Sequence, residues 1–338
     1  MRSRIVASLG LAVGLLFTSG CAAAPITPTP PATATIPSIP TELYVREDAA
    51  TPALIVRDSH AISTIGIDGV VLSPAGDAVT PLPKSATALV TAAHARGLTA
   101  ELLVSNYDGA IGDFSPKIAA ALLDNPQHRS AVVAQLMAQV AAAGYDGVQV
   151  DLESLTLDEA AGLVAFTRQL HDSLGAPKSV SMAVMAEGSA SRYLGAGYDF
   201  TRLTPLLLRI VLMAYDQHEA TGAKPGPVGG LPWATSALDG LIAAGVASAQ
   251  IDLGVAGYGY SWPGNGSDGK QLSDRDSRTL AGDLARWDST EAEWTAKLPD
   301  DTVVWWSDSR SLSARRALVL SRNLHGLAVW ELTLTDPL

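Results

Sequence analysis

The sequence predicts an α/β fold: a (β/α)8 TIM barrel with a small insertion between strand 7 and the last helix. Two observations carry this. Short apolar runs alternate with amphipathic segments along most of the chain, the pattern of a parallel sheet covered on its faces. Eight such runs fit a closed barrel. Polar and acidic residues then fall at the C-terminal ends of those runs, where a barrel of this kind gathers its functional groups.

The strand candidates are, in order, Glu42–Arg46, Asp68–Leu72, Ala100–Ser105, Gly147–Leu152, Ser179–Met185, Ile210–Tyr215, Ile251–Ala256 and Leu327–Glu331. The helical candidates between them are Ala53–Ile62, Ala86–Ala95, Arg129–Ala143, Leu157–Leu174, Ala234–Ala244 and Leu312–Leu324. In the first of these, Leu54, Ile55 and Val56 would also suit a strand. Leu136, Val140 and Ala143, and again Leu163, Phe166 and Leu170, repeat at helical spacing. The stretch from Tyr260 to Asp308 is too long for a simple loop and reads as the insertion, at the face where the strands end. No repeat of solenoid type is visible.

Composition narrows the function. The 338 residues carry a formal net charge of −11, with 47% hydrophobic and 17% charged residues. That supports one large core, with a monomer expected. The acidic balance argues against nucleic acid and anionic membrane surfaces as partners. A single cysteine excludes an internal disulfide and a Cys-rich metal site. His60, His94, His128, His171, His218 and His325 are scattered without metal-ligand spacing. Neither a metal nor an organic cofactor is expected, and Gly254 to Gly259 lacks a dinucleotide fingerprint.

Residues 1–24 read as a signal peptide: Arg2 and Arg4 precede an apolar run from Ile5 to Phe17, too short to span a bilayer. Cys21 follows Thr18-Ser19-Gly20, which resembles a bacterial lipoprotein signal, with Thr18 where Leu is usual. Ordinary cleavage near Ala22-Ala23-Ala24 is the alternative. Both routes lead to an extracellular or cell-envelope location, the first with Cys21 as a membrane lipid anchor. Residues 25–40 form a Pro/Thr-rich linker of extended character, and residues 41–338 the barrel.

The segment Gly144-Tyr145-Asp146-Gly147-Val148-Gln149-Val150-Asp151-Leu152-Glu153 carries the chemistry. Side chains alternate along a strand, so Gln149, Asp151 and Glu153 share one face. A rise of roughly 3.3 Å per residue puts the two acids' Cα atoms about 6–7 Å apart. Acids crowded in a cleft raise each other's pKa, and one can hold a proton near neutrality as a general acid must. The segment resembles the active-site strand of glycoside hydrolase family 18, Asp-x-x-Asp-x-Asp-x-Glu, through Asp146, Asp151 and Glu153. Gln149 stands where the second Asp is usual, and reads as a neutral support for Asp151.

Met213-Ala214-Tyr215-Asp216-Gln217-His218 resembles the Met-x-Tyr-Asp motif of the same family, and His218 follows it as in a bacterial branch of spore-cortex and cell-wall lytic enzymes. Trp233 in Leu231-Pro232-Trp233, Tyr258, Tyr260 and Trp262 after the seventh strand, Trp306 and Asp308, and Trp330-Glu331 resemble further segments of that branch, over about residues 60–338. The resemblance implies an exported hydrolase of β-linked glycans containing N-acetylglucosamine, peptidoglycan or chitin-like. The catalysis it implies is substrate-assisted and retaining. Glu153 would protonate the glycosidic oxygen, Asp151 would orient the substrate's acetamido group, and Tyr215 would hydrogen-bond its oxygen. Gln149, Met213, Asp216, His218, Trp233, Tyr258 and Trp330 would contact substrate, while Asp146 and Gly147 would be structural. The other reading is a non-catalytic glycan-binding protein of the cell envelope; such proteins usually lose the counterpart of Glu153.

Overall fold

Local signals start most of the elements. Asn125 accepts hydrogen bonds from the N–H groups of Gln127 and His128, and Pro126 needs no donor in the first turn, so the helix that precedes the acidic strand begins at Pro126 and runs to Ala143. Asp308 caps the last helix, Ser309–Arg322, in the same way. Ser115 and Pro116 open a helix, Pro116–Leu123, that the periodicity did not single out. The computed structural model describes residues 39–338 apart from 47, 222 and 223. The candidate signal peptide with Cys21, and all but the end of the linker, lie outside them.

Eight parallel strands close into a barrel: β1 (Thr41–Arg46), β2 (Thr64–Val71), β3 (Thr99–Ser105), β4 (Gly147–Asp151), β5 (Ser179–Met185), β6 (Arg209–Met213), β7 (Ile251–Ala256) and β8 (Gly326–Trp330). Each pairs with its neighbours in sequence, and β8 pairs back onto β1. With its flanking helices this is a (β/α)8 barrel. The expected β2 was too short at its start. Thr64 to Ile67 pair residue for residue with Glu42 to Val45, and a register shift between Asp68 and Val70 marks a bulge. The first helix, conversely, is Pro52–Asp58 and stops short of Ile62.

The insertion begins at Tyr258, two residues before its expected start. It is a five-stranded sheet with antiparallel pairing, Lys270–Ser273 at one edge, then Tyr258–Trp262, Val303–Trp306, Glu293–Lys297 and Arg286–Asp288. One face buries Val304, Trp306 and Ala296 with Ala281 of the helix Asp274–Ala281. The other turns Tyr258, Tyr260 and Trp262 toward Val228 and Ala256, with Tyr215, Trp305 and Trp330 packed against them.

Inside the barrel the inward side chains form three bands. Near the N-terminal ends lie the buried polar residues Glu42, Glu101, Gln149, Ser181, Arg209 and Asp252. Tyr44, Leu103, Val211 and Ala328 form an apolar cluster with Trp330 against it. Beyond this, where the strands end, stand Asp68, Asp151 and Tyr215.

Candidate active site

β4 builds the centre of the site. At its base Asp146 accepts the Ala100 N–H at 2.8 Å and contacts His94 Nε2 at 2.9 Å, which ties β4 to β3. Gly147 is needed there because a Cβ would lie 2.7 Å from the Ser179 carbonyl oxygen. The strand delivers Asp151 at its end, half-buried, with Glu153 just beyond. Glu153 is fixed by its own backbone: the buried Asn106 side chain accepts its N–H at 2.9 Å and donates to its carbonyl at 3.0 Å. Ser154, next in line, takes a left-handed φ of 58°.

Carboxylates dominate the electrostatics. Burial pushes the Asp151 carboxyl up to about 7, helped by the charge of Asp68. Burial likewise raises Asp68 to about 6, against the pull of Arg46. Glu153 is held well above the carboxylate range, first by burial and then by Asp151, Asp216, Asp113 and Glu219. The charges acting most strongly on Glu153 are therefore all carboxylates, and they favour its protonated form. Asp151 Oδ1 is buried without a hydrogen-bond partner in the chain. The Asp151 residue, though not Glu153, lines a cleft of about 410 Å³ together with Asp68, Arg46, Tyr107, Phe114 and Trp330. Recesses of about 400 Å³ beside Gly257 and about 530 Å³ around Arg209 contain neither of the paired acids.

Tyr215 follows β6, half-buried, and Asp151, Glu153 and Asp216 all act on its hydroxyl, which is raised well above its usual range by burial first. Met213 ends β6 and is half-buried. Trp330 ends β8 with its ring 5.5 Å from that of Tyr44, and its peptide bond to Glu331 is cis. Asp151, Glu153, Tyr215, Asp216 and Trp330 thus gather at one end of the barrel. Among the described residues no group of three or more His, Cys, Asp or Glu could hold a metal ion.

Several of the residues singled out in the sequence are placed differently. Gln149 is fully buried one level below Asp151. Its oxygen accepts the Tyr44 hydroxyl at 2.7 Å, and its amide nitrogen donates to Ser181 at 3.1 Å and to Glu42 and Glu101 at 3.3 Å. It supports the lower polar band, not Asp151, and has no free face for substrate. Tyr258 is fully buried and spends its hydroxyl on Asp216 at 2.5 Å. Trp233 lies in the first turn of the helix Leu231–Ala243 and packs against the main core. Trp262 is buried and donates its Nε1–H to the Glu219 carbonyl at 2.9 Å. His218 bonds the Pro227 carbonyl through Nδ1 at 2.9 Å, and its ring covers Gly226, where a Cβ would sit 2.6 Å from the imidazole. It shapes the loop after β6. Sequence reasoning missed Asp68, Tyr107 and Phe114 as cleft residues. Asp68 carried a signal, an acid inside a barrel strand.

A (β/α)8 barrel with two raised acids side by side at the end of β4 and a tryptophan at the end of β8 has the groups that acid-catalysed cleavage of a glycosidic bond needs. The model of glycosyl hydrolases family 18 matches residues 109–334, and the chain belongs to that family. It is 29% identical over 283 residues to YdhD of Bacillus subtilis, provisionally described as a sporulation-specific glycosylase; the match covers 80% of this chain and 66% of YdhD, so the chain spans about two thirds of that relative. Among solved structures, a chitinase from Chromobacterium violaceum superposes with a TM-score of 0.76 at 25% identity, covering 88% of this chain and 95% of the other. The spore cortex-lytic enzyme SleL of Bacillus cereus does so at 0.78 and 16%, covering 88% and 72%, which speaks for the fold alone.

Proposed function

We propose that this hydrolase cleaves β-linked glycans containing N-acetylglucosamine, of the chitin or peptidoglycan kind, with the substrate's own 2-acetamido group as nucleophile. One observation carries the reading: Asp151 and Glu153 stand side by side at the end of one strand. A protein nucleophile would have to face the acid across the sugar, with the carboxyls about 5–5.5 Å apart. Of the other acids near strand ends, Asp68 lines the cleft on the Asp151 side, and Asp216 and Glu331 are engaged. Asp216 Oδ1 accepts two tyrosine hydroxyls. Glu331 is buried and accepts the N–H and hydroxyl of Thr333.

In this mechanism Glu153 gives its proton to the glycosidic oxygen as the C1–O bond breaks. The acetamido oxygen bonds to C1 and forms an oxazolinium ion. Asp151, titrating near neutrality, accepts the acetamido N–H and balances the positive charge. The Tyr215 hydroxyl donates to the acetamido oxygen. Glu153, now a carboxylate, takes a proton from the water that attacks C1, so the configuration is retained. Trp330 offers the apolar face of its ring to the sugar at the cleft floor. Export, with Cys21 as lipid anchor, belongs to the same proposal and rests on residues 1–24; mass analysis of the mature N-terminus tests it.

The mechanism is tested by paired aryl glycosides. Those with a 2-acetamido group are expected to turn over and matched 2-hydroxyl glucosides are not. A thiazoline analogue of the oxazolinium should bind far more tightly than the parent sugar. Efficient cleavage of the 2-hydroxyl compounds, or a glycosyl ester trapped on Asp or Glu, overturns it.

A further inference from the structure

Tyr258 and Tyr260 have no part in the proposed mechanism, yet both hydroxyls are committed to one atom. They donate to Asp216 Oδ1 at 2.5 and 2.8 Å, from rings set edge to face with centroids 5.6 Å apart. Residues two apart on a strand share a face, so the first strand of the insertion presents both hydroxyls to the same carboxylate. Asp216 itself has a φ of 57°, a left-handed conformation uncommon for a residue with a side chain and held by its surroundings.

The loop after Asp216 is gripped from the same side. The Gln217 N–H donates to the Val228 carbonyl at 2.8 Å. Glu293, buried in the insertion sheet, accepts the N–H groups of Val228 and Gly229 at 2.7 and 2.9 Å and pairs with Arg315 at 3.2 Å. The insertion therefore holds Asp216 by its side chain and the loop by its backbone.

We propose that Tyr258 and Tyr260 are positioning residues: their two hydroxyls hold the Asp216 carboxyl at the end of the barrel that carries Glu153, so that the insertion, and not the barrel alone, sets the electrostatics of the acid. This rests on Glu153 being the acid of the proposed mechanism. Glu153 faces Asp151 from its own strand end, Asp113 from the hairpin after β3, and Asp216 and Glu219 from the loop after β6. The hydroxyls of Tyr198 and Tyr215 also lie within its field. Around Asp216, burial favours the protonated form, and the two tyrosine donors oppose it. With a donor removed, Asp216 takes a proton at higher pH. Its charge at Glu153 fades, and Glu153 releases its own proton at lower pH.

The experiment is a carbon-13 NMR titration of side-chain carboxyls in the folded protein, with signals assigned through Glu153→Gln and Asp216→Asn. Tyr258→Phe and Tyr260→Phe are each expected to lower the Glu153 midpoint by about 0.5–1 pH unit. The double variant should approach Asp216→Asn, and in the Asp216→Asn background neither tyrosine change should add anything. The alkaline limb of kcat/KM should move with the NMR midpoint, which a merely structural loss would not produce. A Glu153 midpoint unmoved in both variants, or a shift that persists without the Asp216 charge, overturns the proposal. Should Tyr258→Phe misfold, Tyr260→Phe alone decides. Failure of the underlying reading shows separately, as parent-level hydrolysis by Glu153→Gln.

Discussion

The barrel holds two bands of buried acids, and they are managed in opposite ways. In the lower band Arg209 reaches Glu101 at 2.6 Å, Asp252 at 3.4 Å and Glu42 at 3.7 Å. Burial works against the guanidinium charge, but the three carboxylates outweigh it and hold Arg209 protonated. Even so, one cation faces three acids, and burial lifts Glu42 to about 8. The Gln149 amide and the Ser181 hydroxyl fill the remaining acceptors. In the upper band, among the described residues, the only cation acting is Arg46, whose pull on Asp68 burial outweighs, and Asp68, Asp151, Glu153 and Asp216 are all raised. The same residue types serve as a strut where counter-charge is supplied to all of them and as a proton store where it reaches only Asp68. The apolar cluster of Tyr44, Leu103, Val211 and Ala328 lies between the two.

The largest way to break this contrast is at the acid. Glu153→Gln should lower kcat by about 10²–10⁴-fold or more, because general acid and base roles are lost together, while sugar binding survives in calorimetry. Parent-level kcat would remove Glu153 from the mechanism. The lower band should respond in stability instead. Arg209→Met leaves three carboxylates without their cation and should cost about 3–5 kcal/mol in urea unfolding. Its folded molecules should keep their kcat. A large drop in kcat with unchanged stability would merge the two bands into one functional unit.

Half of this contrast was legible in the sequence. The period-two alternation of β4 put Asp151 and Glu153 on one face, and the rule that barrel sites lie at strand ends gathered Tyr215 and Trp330 beside them. What was not legible joins residues far apart. Tyr258 looks like a sugar-facing aromatic until its hydroxyl is seen on Asp216, 42 positions away. Arg209 opens an apolar strand and would pass for an edge charge; its three partners come from β1, β3 and β7. Trp233 follows a Pro in a loop-like stretch, yet tertiary packing turns it into a helix anchored on the core. Gln149 alternates correctly with Asp151, but periodicity fixes only the face, and the level along the barrel decides which band it joins.

A pH series sharpens the comparison. Asp151 titrates at about 7 when folded against 3.8 in the unfolded chain. A raised carboxyl lends stability that is fully present below the unfolded value and is lost as pH climbs through the folded one. Unfolding free energy should therefore fall between about pH 4 and pH 7, with Asp68 contributing up to about 6. Asp151→Asn should remove its share of that slope and stabilise the protein by about 1–3 kcal/mol at pH 8, at the expense of activity. Glu42→Gln should flatten the part that extends to about 8. Thermal melts at pH 5 and pH 8 read both, and an Asp151→Asn variant that keeps the parent's slope would show that the acid is not strained by its site.

The smallest effect is expected at Gln149, where this chain departs from the acidic pattern of its family. An acid there would enter a band in which the amide nitrogen already donates to Glu42 and Glu101 at 3.3 Å. Gln149→Glu keeps the volume but replaces two N–H donors with at most one O–H. With that proton in place, one donor is lost, and the cost should be about 1 kcal/mol at pH 5. As pH rises the new carboxyl either keeps its proton against the neighbouring acids or repels them, so the deficit should widen toward pH 8. Catalysis should change little in the folded protein, since no bond joins Gln149 to Asp151. Pairing Gln149→Glu with Glu42→Gln should return most of the lost stability, because it restores an amide to the band and removes one acid. A deficit that stays constant with pH, or that the pairing leaves untouched, would mean that Gln149 serves packing alone and that charge relief does not explain the departure.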